Sequence, residues 1–169
     1  MALIVEDGTG LEDANAYVDV DYVKEYARKH GLQFDGDDEV LEDAIEVATI
    51  YTDTRWGNSL RGRPLRSVQA LEFPRLYLTD RYGRDIEGVP AGVQDACAEY
   101  AIIQKTNGTL YPTPPSNSPQ QIKKTKTVVG PITTEKEFVG VVSQGAYLQH
   151  PRPDYNMRKY TRSANGVIR

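Results

Sequence analysis

The sequence predicts a mainly α-helical protein, a small helical bundle that carries a β-hairpin or extended C-terminal arm. Three windows within residues 1–110 repeat apolar side chains at i, i+3 and i+4, the period of a helix with one buried face. A proline-rich stretch then interrupts the pattern, and two β-favouring runs and a basic, tyrosine-bearing tail follow it. A chain of 169 residues, 39% hydrophobic and 26% charged, suffices for one ordinary core with an arm.

Leu3 to Val5 is a short apolar run cut off by Glu6, Asp7 and the Gly8-Thr9-Gly10 turn, and reads as a small strand or anchored extension. Asp19 can cap a first helix of about three turns, with Tyr22, Val23, Tyr26 and Ala27 on one stripe and Gly31 at its end. Asp37 or Asp38 opens a longer helix. Its Leu41, Ala44, Ile45, Ala48 and Tyr51 keep the period, Glu39, Glu42, Asp43 and Glu46 crowd the other side, and Gly57 marks its stop.

Residues 55–84 break into turns at Gly57-Asn58, Gly62, Pro64, Pro74 and Gly83, which leaves room for one short helix around 67–71. A connection this long in a compact domain points to function or to packing between subunits. Pro90 fits the first position of a third helix, where its missing N–H matters least. Val93, Ala96, Cys97, Tyr100, Ala101 and Ile103 form its buried stripe, and Asn107-Gly108 its end.

The helical body is therefore set at 1–110. A Pro-rich linker occupies 111–120, and a β-prone segment with a C-terminal docking arm fills 121–169. Within that arm, 122–129 and 132–142 suggest two strands around Gly130-Pro131, and 154–160 one short helix. With little to bury on its own, the tail is expected to be disordered or to be ordered by a partner.

Charge is polarised along the chain. Residues 1–50 hold 14 acids and 3 bases, residues 51–119 hold 7 acids and 8 bases, and residues 120–169 hold 3 acids and 9 bases. The net charges are -11, +1 and +6. Such asymmetry suits steered contact with nucleic acid, or between copies joined acidic end to basic end. No apolar run approaches the ~18–20 residues of a membrane span, and the N-terminus lacks the basic flank and apolar core of a secretory signal, so a soluble, unprocessed protein is expected.

Few residues invite catalysis. One cysteine, Cys97, and two separated histidines, His30 and His150, speak against a disulfide, a Cys-based zinc cluster or a His-rich metal site, so no catalytic, metal or cofactor residue is assigned. The cluster from Asp35 to Glu39 lacks the alternating ligands and distant glutamate of a calcium loop, and reads as acids complementing a helix N-terminus. Glu42 and Glu46 share a helical face, where a solvated face or a subunit contact outweighs acid–base chemistry. Cys97 on an apolar stripe reads as structural, and the Asn107-Gly108-Thr109 sequon as accidental.

The strongest surface signal is Arg55, Arg61, Arg63, Arg66, Arg75, Arg81 and Arg84, interleaved with Trp56, Phe73, Tyr77 and Tyr82. Arginine forks and aromatic faces serve single-strand binders, one on phosphate and one on bases. Because Glu72, Asp80 and Asp85 intervene, and arginine with aromatics is equally enriched at protein interfaces, an interface is the preferred reading. Tyr155, Met157, Arg158, Lys159, Tyr160 and Arg162 have the anchor composition of a docking peptide.

VEDGTGLEDANAYVDVDYVKEY at the N-terminus, QALEFPR from Gln69 to Arg75, DRYGRDI, VPAGVQDACAEYA, VVGPI from Val128 to Ile132 and the closing PDYNMRKYTRSANG together resemble the head-tail connector adaptors of tailed phages. Some members of that group carry the label DnaT-like single-stranded DNA-binding protein. The resemblance implies a non-enzymatic subunit that assembles, usually as a twelve-fold ring, beneath the portal. The ring lengthens the DNA channel and offers a platform for the next neck or tail protein. On this expectation the protein belongs to the virion neck, and to the host cytoplasm during assembly. Tyr155, Met157, Arg158, Lys159, Tyr160 and Arg162 would dock on the portal. Glu39, Glu42, Glu46, Arg61, Arg63, Arg66 and Arg75 would lie between subunits or line a channel through which double-stranded DNA slides unheld. The alternative takes the label literally: a single-stranded DNA-binding replication accessory that uses the arginine–aromatic loop.

Overall fold

The computed structural model describes residues 2–80, 82–111, 124–129, 132–137 and 149–162, with the backbone alone for the two strands. Four helices dominate: α1 (Val20–His30), α2 (Asp38–Trp56), α3 (Ala91–Asn107) and α4 (Pro151–Arg158). The mainly helical expectation holds. The predicted caps are in place: the Asp19 carboxylate accepts from the Tyr22 N–H at 2.7 Å, and Gly31 closes α1 at a left-handed φ of 66°. Pro90 stands one position earlier than expected, as the N-cap of α3.

α3 is the central rod, with α1, α2 and α4 all packed against it. Val23 and Ala27 of α1, Leu41, Ile45 and Ala48 of α2, and Val93, Ala96, Cys97 and Ala101 of α3 are buried together with Tyr17, Tyr51 and Tyr100. Each of these tyrosines brings a hydroxyl into the core, and each hydroxyl is bonded, because an unpaired one would cost about 1–3 kcal/mol. Tyr17 donates to Asp53 at 2.5 Å and Tyr100 to Asp154 at 2.6 Å, while Arg55 donates to Tyr51 at 2.5 Å.

The N-terminal extension is anchored as expected, by a bridge between Val5 and Ala16 and by Ile4 N–H on the Asn15 side chain at 2.7 Å. The buried Glu6 carboxylate accepts from the backbone N–H of Gly8, Gly10 and Leu11 at 2.8–2.9 Å. That clasp is the physical content of the Val5-Glu6-Asp7-Gly8-Thr9-Gly10 stretch.

Between α2 and α3 the chain forms β1 (Arg63–Pro64) and β2 (Arg75–Leu76), antiparallel, with Arg63 opposite Leu76. The short helix expected at 67–71 is absent. The Gln69 side chain instead holds the segment as a turn, accepting from Arg66 N–H at 2.8 Å and donating to the Leu71 and Pro74 carbonyls at 2.6 and 3.2 Å. The Phe73–Pro74 peptide bond is cis. Gly62 has φ 71°, and a Cβ there would meet the Leu76 carbonyl oxygen at 2.3 Å, so only glycine fits.

The tail departs most from expectation. The chain divides into two compact units: Met1–Leu110 with Gln149–Arg169, and Tyr111–Leu148. Over 149–162 the expectation of a free docking arm is thus corrected, because α4 completes the body; 163–169 lie outside the described residues. Met157 is fully buried, and Asp154, also buried, takes a hydrogen bond from Arg55 at 2.5 Å. Arg152 pairs with Glu99 at 3.1 Å. After α4, Arg61 N–H bonds the Tyr160 carbonyl and Arg162 N–H the Ser59 carbonyl, at 2.9 and 2.8 Å. The helix starts at Pro151 and not near Asp154, since proline lacks only an N–H that a first turn leaves unused.

In the second unit, β3 (Lys124–Val129) and β4 (Ile132–Glu137) pair antiparallel from Lys124 opposite Glu137 to Val129 opposite Ile132. This is the expected hairpin. The proline-rich linker at 112–120 and the predicted strand end at 138–142 lie outside the described residues.

Candidate nucleic-acid interface

The arginine series separates into structural and surface members. Arg55 is buried against Asp154. Arg75, assigned from sequence to a subunit or channel contact, is instead 8% exposed: it pairs with Glu72 and donates to the Arg61 and Gly62 carbonyls at 2.8 and 3.2 Å. Four of its five donors fasten the loop, and with its side chain buried it is withheld from a partner. Arg61 is half-buried, with one nitrogen donating to the Lys159 carbonyl at 2.6 Å. Arg81 lies outside the described residues.

Arg63, Arg66 and Arg84 remain exposed. The Arg63 guanidinium sits 5.3 Å from the centre of the Tyr77 ring, and that of Arg84 lies 5.3 Å from the Tyr82 ring. A third pair comes from the tail, Lys159 over Tyr155 at 5.1 Å. The three rings are 74%, 67% and 67% exposed, respectively, where tyrosine is usually at least half covered. Arg61 joins two of the sets, Arg63 with Tyr77 and Lys159 with Tyr155: its backbone is tied to Tyr160 and its side chain to Lys159, two residues from Arg63. Loop and tail, read from sequence as separate binding elements, therefore border one seam of the body.

Among the described residues, Tyr77 is the non-glycine residue with positive φ, at 58°. Holding a bulky side chain there costs about 1–2 kcal/mol, and such strain concentrates where a side chain must be aimed. The hairpin-like turn beyond it is pinned by Asp80, which accepts from the Tyr82 and Arg84 N–H groups at 2.8 and 2.9 Å and pairs with the Arg84 side chain at 2.6 Å. Those bonds hold the Asp80 carboxyl below its ordinary range, the Arg84 backbone N–H first among them.

The expected docking residues divide. Tyr155, Arg158, Lys159 and Arg162 are exposed, but Met157 is in the core. Tyr160 is half-buried, its ring 6.1 Å from Phe73 and its hydroxyl bonded by the Gly92 N–H, where a Cβ would lie 2.6 Å from that oxygen. Met157 and Tyr160 are consumed by the fold, which leaves four of the six expected docking residues exposed. On α2, Glu39 is exposed and Glu42 and Glu46 are half-buried. Sequence reasoning missed two residues that shape this surface: Glu6, signalled by glycines two and four positions later, and Asp154, the lone acid of a basic tail.

Beneath the seam, the Asp53 carboxyl accepts from Tyr17 and from the Glu72 N–H, at 2.5 and 3.1 Å. Burial nonetheless pushes it up to about 6. Cys97 is fully buried beside Thr49 at 3.4 Å, and burial pushes its thiol up to about 12. Among the described residues no group of three or more His, Cys, Asp or Glu is placed to hold a metal ion, and no helix is long and apolar enough to cross a membrane.

A family model described as "Putative DnaT-like ssDNA binding protein" matches residues 1–168. No curated protein and no solved structure matches the chain.

Proposed function

The chain belongs to this DnaT-like single-stranded DNA-binding family, and from that premise we propose that it binds single-stranded DNA along the seam of Arg63, Tyr77, Tyr82, Arg84, Tyr155 and Lys159. The observation that carries the reading is the set of three exposed tyrosines, each with a cation over its ring, of which Tyr77 is held in a left-handed conformation. Stacking of a base on an aromatic face is worth about 1–3 kcal/mol and tolerates any base. Arginine and lysine beside each ring neutralise the phosphates that flank it. Three such contacts on a single strand give a log–log salt slope of about -2.

The test is titration of a fluorescent twelve-residue thymidine oligomer at several salt concentrations. Expected are saturable binding with that slope, a loss of about ten-fold in Tyr77→Ala and a smaller loss with a flatter slope in Arg63→Ala. Absence of binding at low salt, or binding indifferent to both substitutions, overturns the proposal.

A second reading, the virion connector, is favoured by a different observation. Val40 and Ile50, each 53% exposed, align with Val47 on the outer side of α2, between Glu39, Asp43 and Glu46. An acidic apolar stripe and an arginine–tyrosine seam are two unlike faces, as a heterologous ring contact requires. In this reading copies close into a twelve-fold ring under a portal, double-stranded DNA passes through unheld, a neck or tail protein binds below, and the protein has no enzymatic role. Light scattering of the protein with purified portal separates the readings: an Ile50→Asp-sensitive ring supports the connector, and a monomer that ignores portal opposes it.

A further inference from the structure

We propose that the open groove beside Tyr77 is a base-selective pocket, which takes one unstacked nucleobase bearing an exocyclic amine, guanine best and thymine worst. The inference rests on the single-strand reading and adds to it a position where the strand's sequence matters.

The groove encloses about 420 Å³, within the ~300–1,000 Å³ of small-molecule sites. Leu65, Leu76, Leu78 and Ile86 supply its apolar walls. One end is bare backbone: Gly8 and Gly88, both at positive φ, approach so closely that a Cβ on Gly8 would stand 3.2 Å from the Gly88 Cα. A flat wall without side chains admits the plane of a ring. Tyr77 stands at the mouth, its ring exposed and its backbone held at φ 58° by the β2 pairing before it and the buried Leu78 after it. Arg63, opposite Leu76 in that ladder and over the Tyr77 ring, is in reach of the phosphate next to a base stacked there.

The rim decides which base. Asp85 and Glu87 flank Ile86 on the groove and are both exposed, and among the described residues neither carboxylate is engaged in a hydrogen bond or ion pair. Carboxylates only accept. They bind an edge that offers N–H donors and repel one that presents carbonyls. Guanine offers N1–H beside its 2-amino group, two adjacent donors that match a carboxylate fork. Cytosine and adenine offer one amine, and thymine none. Tyr77 lines this groove and Tyr82 and Tyr155 do not, so the discrimination is assigned to the base at Tyr77.

The experiment is competition binding of the full chain with thymidine twelve-mers carrying a single central dT, dG, dC or dA. A good carboxylate–base pair is worth about five-fold or more in affinity, so the dG oligomer is expected to bind at least five-fold tighter than all-dT, with dC and dA between. Asp85→Asn combined with Glu87→Gln, both on exposed side chains, should bring the dG oligomer down to the all-dT value. Equal affinity for all four oligomers, or a dG preference that survives the double substitution, overturns the pocket while leaving single-strand binding intact. Failure of every oligomer to bind removes the pocket and the single-strand reading together.

Discussion

Arg55 and Asp154 lie 99 positions apart in the chain and meet at 2.5 Å inside the body, with side chains only 7% and 1% exposed. Tyr100 donates to the other oxygen of the same carboxylate at 2.6 Å, and the His150 N–H donates to the oxygen that Arg55 holds, at 3.2 Å. This buried acid is the knot by which α4 is tied to α2 and α3. Truncating one partner leaves a charge without compensation, which costs about 3–5 kcal/mol. Arg55→Ala is therefore expected to lose that much stability in urea unfolding, and limited proteolysis should release the segment after Gln149 first. A loss below ~1 kcal/mol would show that the pair is replaceable by solvent.

Asp53 sets a pH dependence of opposite sign to that of ordinary ion-paired carboxylates. Its folded-state value, raised to about 6 by burial, exceeds the unfolded value near 3.9. Between the two the native state holds the extra proton, so the contribution of Asp53 is fully present below pH ~4, falls as pH rises through ~6 and stays lost above it. The stability difference between the wild type and Asp53→Asn should shift toward the wild type by about 2 kcal/mol from pH 7.5 to pH 4. A difference independent of pH would place the charge in water.

Tyr77 separates stability from binding. Asparagine tolerates the left-handed region that tyrosine occupies at a cost. Tyr77→Asn is expected to leave the melting temperature unchanged or raise it by a few degrees, while oligonucleotide affinity falls as in Tyr77→Ala. Simultaneous loss of both would make the ring a structural element.

Cys97 should resist thiol reagents. With the thiol fully buried and pushed up to about 12, almost no thiolate exists at pH 8. Labelling by a disulfide reagent should then proceed at the rate of global opening and rise with urea in step with unfolding. Rapid modification of the native protein would contradict the packing of α3 against α2.

The legible parts of the fold were those written in local spacing. The apolar stripes of α1 to α3, the Asp19 cap and the Gly31 and Gly108 stops each depend on residues within a few positions, and the structure returns them almost unshifted. What sequence reading could not supply were choices settled by distant partners. A basic tail with one acid resembles a free arm unless Arg55 is known to wait for that acid. Gln69 reads as a helix former until its amide is seen to bridge Arg66, Leu71 and Pro74. The site was legible in its materials, arginine with tyrosine, but not in its membership: Arg75 was spent on Glu72 and on carbonyls of its own loop, while Lys159 and Tyr155 joined the seam from the far end of the chain.

Because 149–162 returns to the body, the hairpin unit is an insertion between two halves of one folded domain and not an appendix beyond its end. Severing the chain anywhere within 112–148 should therefore yield two fragments that travel together on a native column and part only in denaturant. The same geography makes this stretch the natural place to graft a foreign module, since Leu110 and Gln149, the residues that flank it, both belong to the first unit.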